Sequence, residues 1–261
     1  MPFDVHGFLG EQVKVIGMKE YEEHKDLFEL VIAINKYAQE MKYKFVIHNE
    51  DSQELTIGAL YIKALQSFES VVILSRLGLN SDSKAVLRVL LEAVFYLKAI
   101  CEDDNFVFTY IKGDDVELHR ILKKISKDEK GIFSTKLKEY ASKDKIDNLK
   151  SVIWKKNENP LEIYKVAEKA GMSDFYQLVY GSLCDNVHTS VRSLEKYYGI
   201  NESGRADSLD GLPNFADMDV VIVTACSILL VALSCTEGFF ELNCDGDISI
   251  LKEKLMKFNR R

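Results

Sequence analysis

Residues 81–102 read SDSKAVLRVLLEAVFYLKAICE, and positions 85–101 of this stretch form a nearly unbroken apolar run. Only three charges interrupt the run, namely Arg88, Glu92 and Lys98. A run of this length without Gly or Pro predicts a helix that is buried on most of its surface. Because Arg88 and Glu92 stand four residues apart, their side chains lie one turn from each other on that helix and can form an ion pair.

The segment before this stretch predicts a second long helix. The apolar pattern of residues 54–77 continues to Gly78, and Ser81 is placed to cap the following helix. Since the turn between the two helices is very short, we expect them to pack antiparallel as an αα-hairpin.

Helical patterns recur along the rest of the chain. Further helices are predicted at 19–44, 104–112, 114–127, 131–156, 160–171, 173–198 and 217–242, with a short last helix that ends at 258. Residues 199–216 are rich in Gly, Ser, Asn and Asp and are predicted to be a loop.

These patterns predict an all-α fold, a multi-helix bundle with an antiparallel four-helix core. The four core helices are those at 54–78, 81–101, 173–198 and 217–242. We expect one all-α domain, residues 1–261, in which the helices of 19–101 and 173–258 form the core and those of 104–171 form a peripheral helical insert.

The composition is typical of a soluble globular protein. The chain is 47% hydrophobic and 29% charged, and its three prolines and fourteen glycines favour long helices over short strands. Its five cysteines are odd in number and form no Cys-x-x-Cys pair, so we expect reduced thiols. The N-terminus has no charged start followed by an apolar segment, so we expect no secretory signal and a cytoplasmic location.

Residues 220–236 contain no charge and raise the alternative of a membrane span. A span needs about 20 predominantly apolar residues. This run is slightly shorter, contains Thr224 and Ser227, and is bracketed by Asp217 and Glu237. We therefore expect a central core helix and no membrane partner.

Charge is distributed unevenly. Residues 117–156 hold twelve Lys or Arg and six Asp or Glu, a local +6, which leaves −13 for the rest of a chain whose net charge is −7. With Tyr140 and Trp154 among its lysines, this tract could guide RNA through phosphate attraction and stacking. The alternative is a solvated pair of Lys-rich helices, and the overall acidity argues against indiscriminate nucleic-acid binding.

Two polar helix faces are the candidates for a site, since the chain has no Gly-rich nucleotide loop, no Gly-x-Ser-x-Gly and no His-Glu-x-x-His. Arg88 with Glu92 is a preformed anion-binding pair. On the later helix Asp185, His188 and Arg192 share a face, and the Asp185 carboxylate could orient the His188 ring for general acid/base work. The alternative for both faces is a solvent-exposed stripe.

A metal-binding bundle is a further alternative. Its ligands would be Glu69, Glu92, Asp185 with His188, and Glu237, one set from each of four helices. Di-iron bundles bind their metal ions with two acidic-x-x-His pairs, and this chain has one such pair. We therefore expect no metal site and no cofactor.

The chain resembles the bacterial domain-of-unknown-function family 5677. The residues that carry the resemblance are KAVLRVLLEAVFYL at 84–97 and YQLVYGSLCDNVHTS at 176–190. That family is helical, and its members share an Arg-x-x-x-Glu helix and a later Tyr/Ser/His helix. The resemblance implies that Arg88, Glu92, Tyr180, Ser182 and His188 are shared positions. Tyr96 lies within the first motif and is taken as a candidate binding residue.

A more distant similarity is to the helical HEPN ribonucleases and nucleotide-binding proteins of toxin and antiviral systems. Their protomers pool an Arg and a following His of one helix around a scissile phosphate. Residues 181–185 contain no Arg, so Arg88 or Arg192 would replace it here. The similarity implies a homodimer that acts on RNA or a nucleotide in bacterial stress or phage defence, with metal-independent RNA cleavage as the implied activity.

In the resulting hypothesis His188 is the general acid/base and Arg88 binds the phosphate. Glu92 positions Arg88, and Asp185 sets the tautomer of His188. Tyr180, Ser182, Arg192 and Tyr96 are the candidate binding residues. The alternative is a non-catalytic helical module in which the same residues form a structural network and the charged insert binds a protein partner.

The predicted loop at 199–216 follows the second candidate helix directly. Its length is typical of segments that are either mobile or functional. We expect it near one end of the bundle, where Arg205 or Asp207 could cover a ligand as a lid; the alternative is a surface crossover without a role.

Overall fold

A computed structural model describes residues 3, 5–156, 161–187, 191–242 and 247–258. Its helices are α1 (Gln12–Glu23), α2 (Lys25–Met41), α3 (Ser52–Arg76), α4 (Asn80–Glu102), α5 (Phe106–Ser126), α6 (Thr135–Tyr140), α7 (Lys143–Lys156), α8 (Ile163–Lys169), a π-helix (Phe175–Tyr180), α9 (Gly181–Val187), α10 (Val191–Leu194), α11 (Met218–Phe239) and α12 (Asp247–Met256). Three 3₁₀ turns add Gly7–Leu9, Lys42–Lys44 and Glu195–Tyr197. The described part has one two-stranded sheet, β1 (Tyr198–Ile200) with β2 (Ala206–Leu209). The all-α fold class is confirmed.

Helix α4 lies at the centre of the core. It packs against α3, α11 and α9, while α2 and α12 pack against α11. On α4 the side chains of Leu90, Leu91 and Phe95 are completely buried. Burial of apolar surface at about 25 cal/mol per Å² makes this contact region the main source of stability.

The predicted αα-hairpin of α3 and α4 is confirmed, and its turn requires glycine. Gly78 has φ of +77°, a conformation that other residues rarely adopt. Its backbone also meets the 211–215 segment, where the Asn214 N–H donates to the Gly78 carbonyl at 2.9 Å. A Cβ at position 78 would lie 2.5 Å from the Cβ of Pro213, so no other residue fits.

Ser81 does not cap α4. The helix begins at Asn80, Leu79 occupies the cap position, and the Leu79 carbonyl accepts the Ser83 N–H at 2.9 Å. The Ser81 hydroxyl instead accepts a hydrogen bond from the Tyr197 hydroxyl at 3.0 Å. The Ser81 side chain, which the local pattern predicted to cap the helix, therefore forms a tertiary hydrogen bond with Tyr197 instead.

Two predicted helix boundaries were wrong near the N-terminus and in the insert. The helix predicted at 19–44 is two helices that meet at His24, where the backbone leaves the helical region. The helices predicted at 104–112 and 114–127 are the single helix α5. Gly113 does not interrupt α5; it makes room for Leu161, whose Cδ1 would lie 3.3 Å from a Cβ at that position.

Three other predicted elements also differ. The stretch 131–156 is divided into α6 and α7 by Ala141, whose side chain is buried. Helix α8 begins at Ile163, and the predicted start at Asn159-Pro160 lies outside the described residues. The predicted helix at 173–198 is a series of shorter pieces that includes the π-helix.

The predicted loop at 199–216 contains a β-hairpin. Its turn is held by the Asn201 side chain, whose Oδ1 accepts the N–H groups of Ser203 and Arg205, each at 3.1 Å. Gly204 follows with φ of +76°. In such an Asx turn the Asn side chain accepts hydrogen bonds from backbone N–H groups, and this stabilises the turn between the two strands. Through Asn214 and Tyr197 the segment lies at the N-terminal end of α4, as expected, while its role as a lid stays a prediction.

Helices α3 and α11 are both long and apolar enough to cross a membrane. In α11, 61% of the most apolar window is buried inside the protein, and in α3 the share is 50%. Core helices of soluble proteins have the same properties, and α11 packs against α3 and α4. Length and apolarity therefore do not assign either helix to a membrane.

The region 104–171 has a small apolar cluster of its own. Leu122, Ile125 and Ala141 form this cluster, flanked by Leu118, Ile146 and Leu149. The two ends of the region belong to the main core instead, through Phe106 and Val107 at the start of α5 and Val166 and Ala167 in α8. The middle of the insert is thus tethered at both ends to a much larger core.

Candidate functional site

The predicted pair of Arg88 and Glu92 forms on one face of α4. Arg88 Nη2 lies 3.3 Å from Glu92 Oε1, one helical turn away. Neither side chain is fully solvated, since 21% of Arg88 and 36% of Glu92 is exposed. An ion pair with this burial is screened less by water than a surface pair.

Tyr180 completes this pair from a distant segment of the chain. It is the last residue of the π-helix, and its hydroxyl accepts from Arg88 Nη2 at 2.5 Å and donates to Glu92 Oε1 at 2.6 Å. The guanidinium carbon of Arg88 also lies 4.6 Å from the centroid of the Tyr180 ring. We call Arg88, Glu92 and Tyr180 the triad.

The electrostatics of the triad favour one protonation state. Burial and the hydrogen bond to the Glu92 carboxylate raise the pKa of Tyr180 to about 12, so its phenol is neutral at physiological pH. For Arg88, burial works against the charged form, but the hydrogen bond to Tyr180 and the nearby Glu92 outweigh it and raise the pKa. The triad therefore holds a permanent cation, an anion and a neutral hydroxyl.

Arg88 is incompletely satisfied by the residues that the structure describes. Its Nε is buried and has no hydrogen-bond partner among them. A buried donor without a partner costs about 1–3 kcal/mol, and such groups are uncommon outside functional or strained sites. The guanidinium thus retains donor capacity beyond the two contacts of Nη2.

A row of tyrosines leads from the surface to the triad. The ring of Tyr176 stacks on that of Tyr180 with centroids 5.1 Å apart, and Tyr164 of α8 follows at 6.5 Å from Tyr176. Tyr164 is 44% exposed, whereas Tyr180 is only 6% exposed. We call Tyr164, Tyr176 and Tyr180 the tyrosine row.

The π-helix is the element that sequence reasoning missed. A six-residue π-helix is rare, and π-helical turns occur frequently at functional sites. It carries Tyr176 and Tyr180, and the Cys184 thiol donates to the Tyr180 carbonyl at 3.3 Å just beyond it. The spacing of Tyr176 and Tyr180 was visible in the sequence, but the arrival of Tyr164 from α8 was not.

The other predicted binding residues lie outside the triad. Tyr96, one turn after Glu92, packs on Tyr110 of α5 with centroids 4.7 Å apart, and its pKa is raised by burial and by Tyr110. The exposed Ser182 hydroxyl donates to the Val179 carbonyl at 2.7 Å. Arg192 is exposed on α10.

Two predicted catalytic residues are not placed by the structure. For Asp185 only the backbone, within α9, is described, and His188 lies outside the described residues. Their proposed roles therefore rest on the sequence pattern alone.

The alternative of a metal-binding bundle gains no support. Within the described ranges, no group of three or more His, Cys, Asp or Glu side chains is arranged to hold a metal ion. Two of the suggested ligands have other partners, since Glu69 accepts from Gln39 at 2.7 Å and Glu92 belongs to the triad.

Two cavities lie away from the triad. One of about 780 Å³ is formed where α1, α2 and α11 meet, beside His24, whose Nδ1 is 2.9 Å from the Asp219 carboxylate. Another of about 330 Å³ lies between the start of α4 and the 210–215 segment. Neither cavity is lined by a triad residue.

Comparison with known proteins gives a family but no activity. No curated protein and no solved structure matches the chain. One family model matches residues 54–206, a range that contains all of α3 except its first two residues, α4, the π-helix and all three residues of the triad. The chain therefore belongs to the family of unknown function DUF5677.

Proposed function

We propose that this protein acts on RNA or a nucleotide and that Arg88 binds a phosphate of that substrate. The observation that carries the proposal is the triad, in which a half-buried guanidinium is held in place by a carboxylate and a phenol. A planar guanidinium matches phosphate geometry, and holding it in advance removes the entropic cost of ordering it on binding.

The tyrosine row supports a ligand that carries a base. Aromatic rings that are exposed at one end are typical platforms for unstacked nucleobases. A phosphate at Arg88 would leave the adjoining nucleotide beside Tyr176 and the more exposed Tyr164. The triad and the row would then recognise the two chemically distinct parts of one nucleotide.

In this proposal His188 is the general acid/base, as its position near Asp185 in the sequence suggests. The reaction would be metal-independent RNA cleavage. The 2′-oxygen loses its proton to a base and bonds to phosphorus, the bond from phosphorus to the 5′-oxygen breaks, and that oxygen takes up a proton. Arg88 would stabilise the charge that develops on the phosphate oxygens.

The proposal includes a cellular setting that follows from the HEPN-like resemblance. We place the protein in the bacterial cytoplasm, as a homodimer that acts in stress or phage defence. In a dimer the phosphate-binding and acid/base residues of two protomers could be pooled around one substrate.

Purified protein incubated with single-stranded RNA in the presence of a chelator tests the activity. We expect cleavage that yields 2′,3′-cyclic phosphate ends, and we expect His188→Ala to lose it at least 100-fold, the lower range of a general acid/base contribution. Arg88→Lys keeps the charge but loses the planar fork, so it should also lose most activity while remaining folded.

A non-catalytic helical module is the second candidate. Two observations favour it. Arg88 Nη2 and the Tyr180 hydroxyl already form hydrogen bonds inside the protein. The two cavities described above lie away from the triad. In that case His188→Ala and Arg88→Lys would change the melting temperature or a protein interaction, and no RNA or nucleotide tested would be cleaved or bound.

A further inference from the structure

A cluster of basic residues lies on one side of α5 around its C-terminal end. His119, Arg120, Lys123, Lys124 and Lys127 surround one shallow depression of about 360 Å³. Their spacing in the sequence puts them on one side of the helix, within an arc of about 140° at 100° per residue. The apolar residues Leu122 and Ile125, which face the small cluster of the insert, lie on the opposite side. We call these five residues the basic face.

The basic face lacks the neutralisation seen elsewhere in the insert. Arg120 pairs with Glu117 at 3.3 Å, but Lys123, Lys124 and Lys127 form no ion pair with any described acidic residue. Like charges one turn apart, as Arg120 with Lys124 and Lys123 with Lys127, destabilise a helix. Part of this cost is offset because cations at a helix C-terminus interact well with the helix dipole.

The first two turns of α7 show the contrast. There Asp144 and Asp147 alternate with Lys143, Lys145 and Lys150, as is usual on a solvated helix, and only the last turn adds Lys155 and Lys156 without an acidic neighbour. In a chain with net charge −7, a face with five basic groups and little neutralisation is not explained by solubility. It is a local exception to the sign of the whole protein.

We propose that the basic face binds the phosphate backbone of single-stranded RNA. The inference rests on the proposed function, which identifies the polyanion as RNA. It adds a second RNA-binding surface that is separate from the triad. Membrane-binding helices place large apolar residues beside their basic ones. Here Ile121 is the exposed apolar neighbour, at 43%. Four cations and His119, spread over about 12 Å, suit a backbone that presents several phosphates.

The basic face and the triad lie on helices that are in contact with each other. Helix α5 contacts α4 through Tyr110 and Tyr96, one turn from Glu92. The basic face begins about 14 Å further along the helix axis, at the usual rise per residue. None of the five residues of the basic face belongs to the triad, so binding and cleavage would use separate groups.

Fluorescence anisotropy with an unstructured single-stranded RNA tests the inference. The RNA carries 2′-fluorine in place of every 2′-hydroxyl, so that it cannot be cleaved by its own 2′-oxygen. Lys123→Gln, Lys124→Gln and Lys127→Gln combined should weaken binding roughly 10- to 100-fold at physiological salt. The logarithm of the association constant falls linearly with the logarithm of the salt concentration, and this slope should become less steep by about 2, because three phosphate contacts are lost.

The matched control is the triple variant Lys130→Gln, Lys136→Gln and Lys143→Gln, which removes the same charge from exposed positions of the same insert. It should weaken binding less than threefold. Equal losses in the two triple variants, or no loss in either, would overturn the inference. So would binding of phosphatidylserine vesicles, but not RNA, that depends on the three lysines of the basic face.

The outcome is separable from that of the proposed function. If the proposed function holds and this inference fails, the basic-face variant binds RNA normally while Arg88→Lys and His188→Ala abolish cleavage. If RNA binds through the basic face but no variant or condition gives cleavage, the inference holds and the catalytic role of the triad fails.

Discussion

The main core and the insert differ in how they are held together. The core around α4 buries long rows of Leu, Val, Phe and Ile side chains from α2, α3, α4 and α11, whereas the insert closes on Leu122, Ile125 and Ala141. Because stability follows buried apolar area, the middle of the insert should open more readily than the core. The comparison suggests that a rigid scaffold holds the triad while a less stable arm carries the basic face.

The largest effect is expected from the core. Leu91→Ala empties a completely buried position on α4, and such truncations cost about 2–5 kcal/mol through lost transfer free energy and the remaining cavity. Urea unfolding followed by far-UV circular dichroism, which reports mainly the long helices of the core, should show a lower midpoint than in the wild type. An unchanged midpoint would mean that α4 is not the centre of cooperativity.

A smaller and more local effect is expected from the insert. Leu122 is 1% exposed, so Leu122→Ala should lower the local free energy of unfolding by about 2 kcal/mol or more. The effect should be confined to the small cluster of the insert. Hydrogen exchange should speed up in α5, α6 and α7 while protection in α3 and α11 is kept. Equal loss of protection in both regions would show that core and insert form one cooperative unit.

The triad is predicted to contribute less than either apolar change. Tyr180→Phe removes one hydroxyl that donates to a carboxylate, which should cost about 1–3 kcal/mol of stability. Chemical denaturation measures this loss, and Tyr176→Phe is the control, since its ring stacking would be kept.

The pH dependence of Tyr180 follows from the sign of its shift. Its pKa in the folded protein, about 12, lies above the ordinary value of 10, so the folded state favours the protonated phenol. The contribution is therefore complete below pH 10 and is lost as the pH rises toward 12. The phenolate absorbance should show late-titrating tyrosines, and the part of this late titration that belongs to Tyr180 should be missing in Tyr180→Phe. A titration curve unchanged by the substitution would contradict the buried hydrogen bonds.

The smallest effect is expected on the basic face. Lys124→Gln should leave the free energy of unfolding within about 0.5 kcal/mol of the wild type, because the residue is exposed and makes no ion pair with a described residue. Any change should be a slight gain, since repulsion with Arg120 is relieved. Thermal unfolding beside Lys136→Gln checks this, and a clear loss specific to Lys124→Gln would assign the face to structure rather than to binding.

The helices that were predicted well are those whose periodicity is decided locally. The apolar runs of α3, α4 and α11 gave their bounds to within a few residues, and the spacing of Arg88 and Glu92 predicted their ion pair. The errors at Gly113 and in the 199–216 segment have different origins. Leu161 packs over Gly113 from a distant part of the chain, and no short window of sequence contains that contact. The turn held by Asn201 is local, and its pattern is visible as Asn201-Glu202-Ser203-Gly204.

The sequence by itself determined the all-α class, the central helix and the pairing of Arg88 with Glu92, because helix periodicity acts over a few residues. Only the tertiary structure decided that Tyr180 completes the pair, that Tyr164 joins Tyr176, and that α5 continues through Gly113, where Leu161 packs. These arrangements depend on contacts between segments far apart in the chain. A local pattern shows which side chains share a face, but packing decides what that face meets.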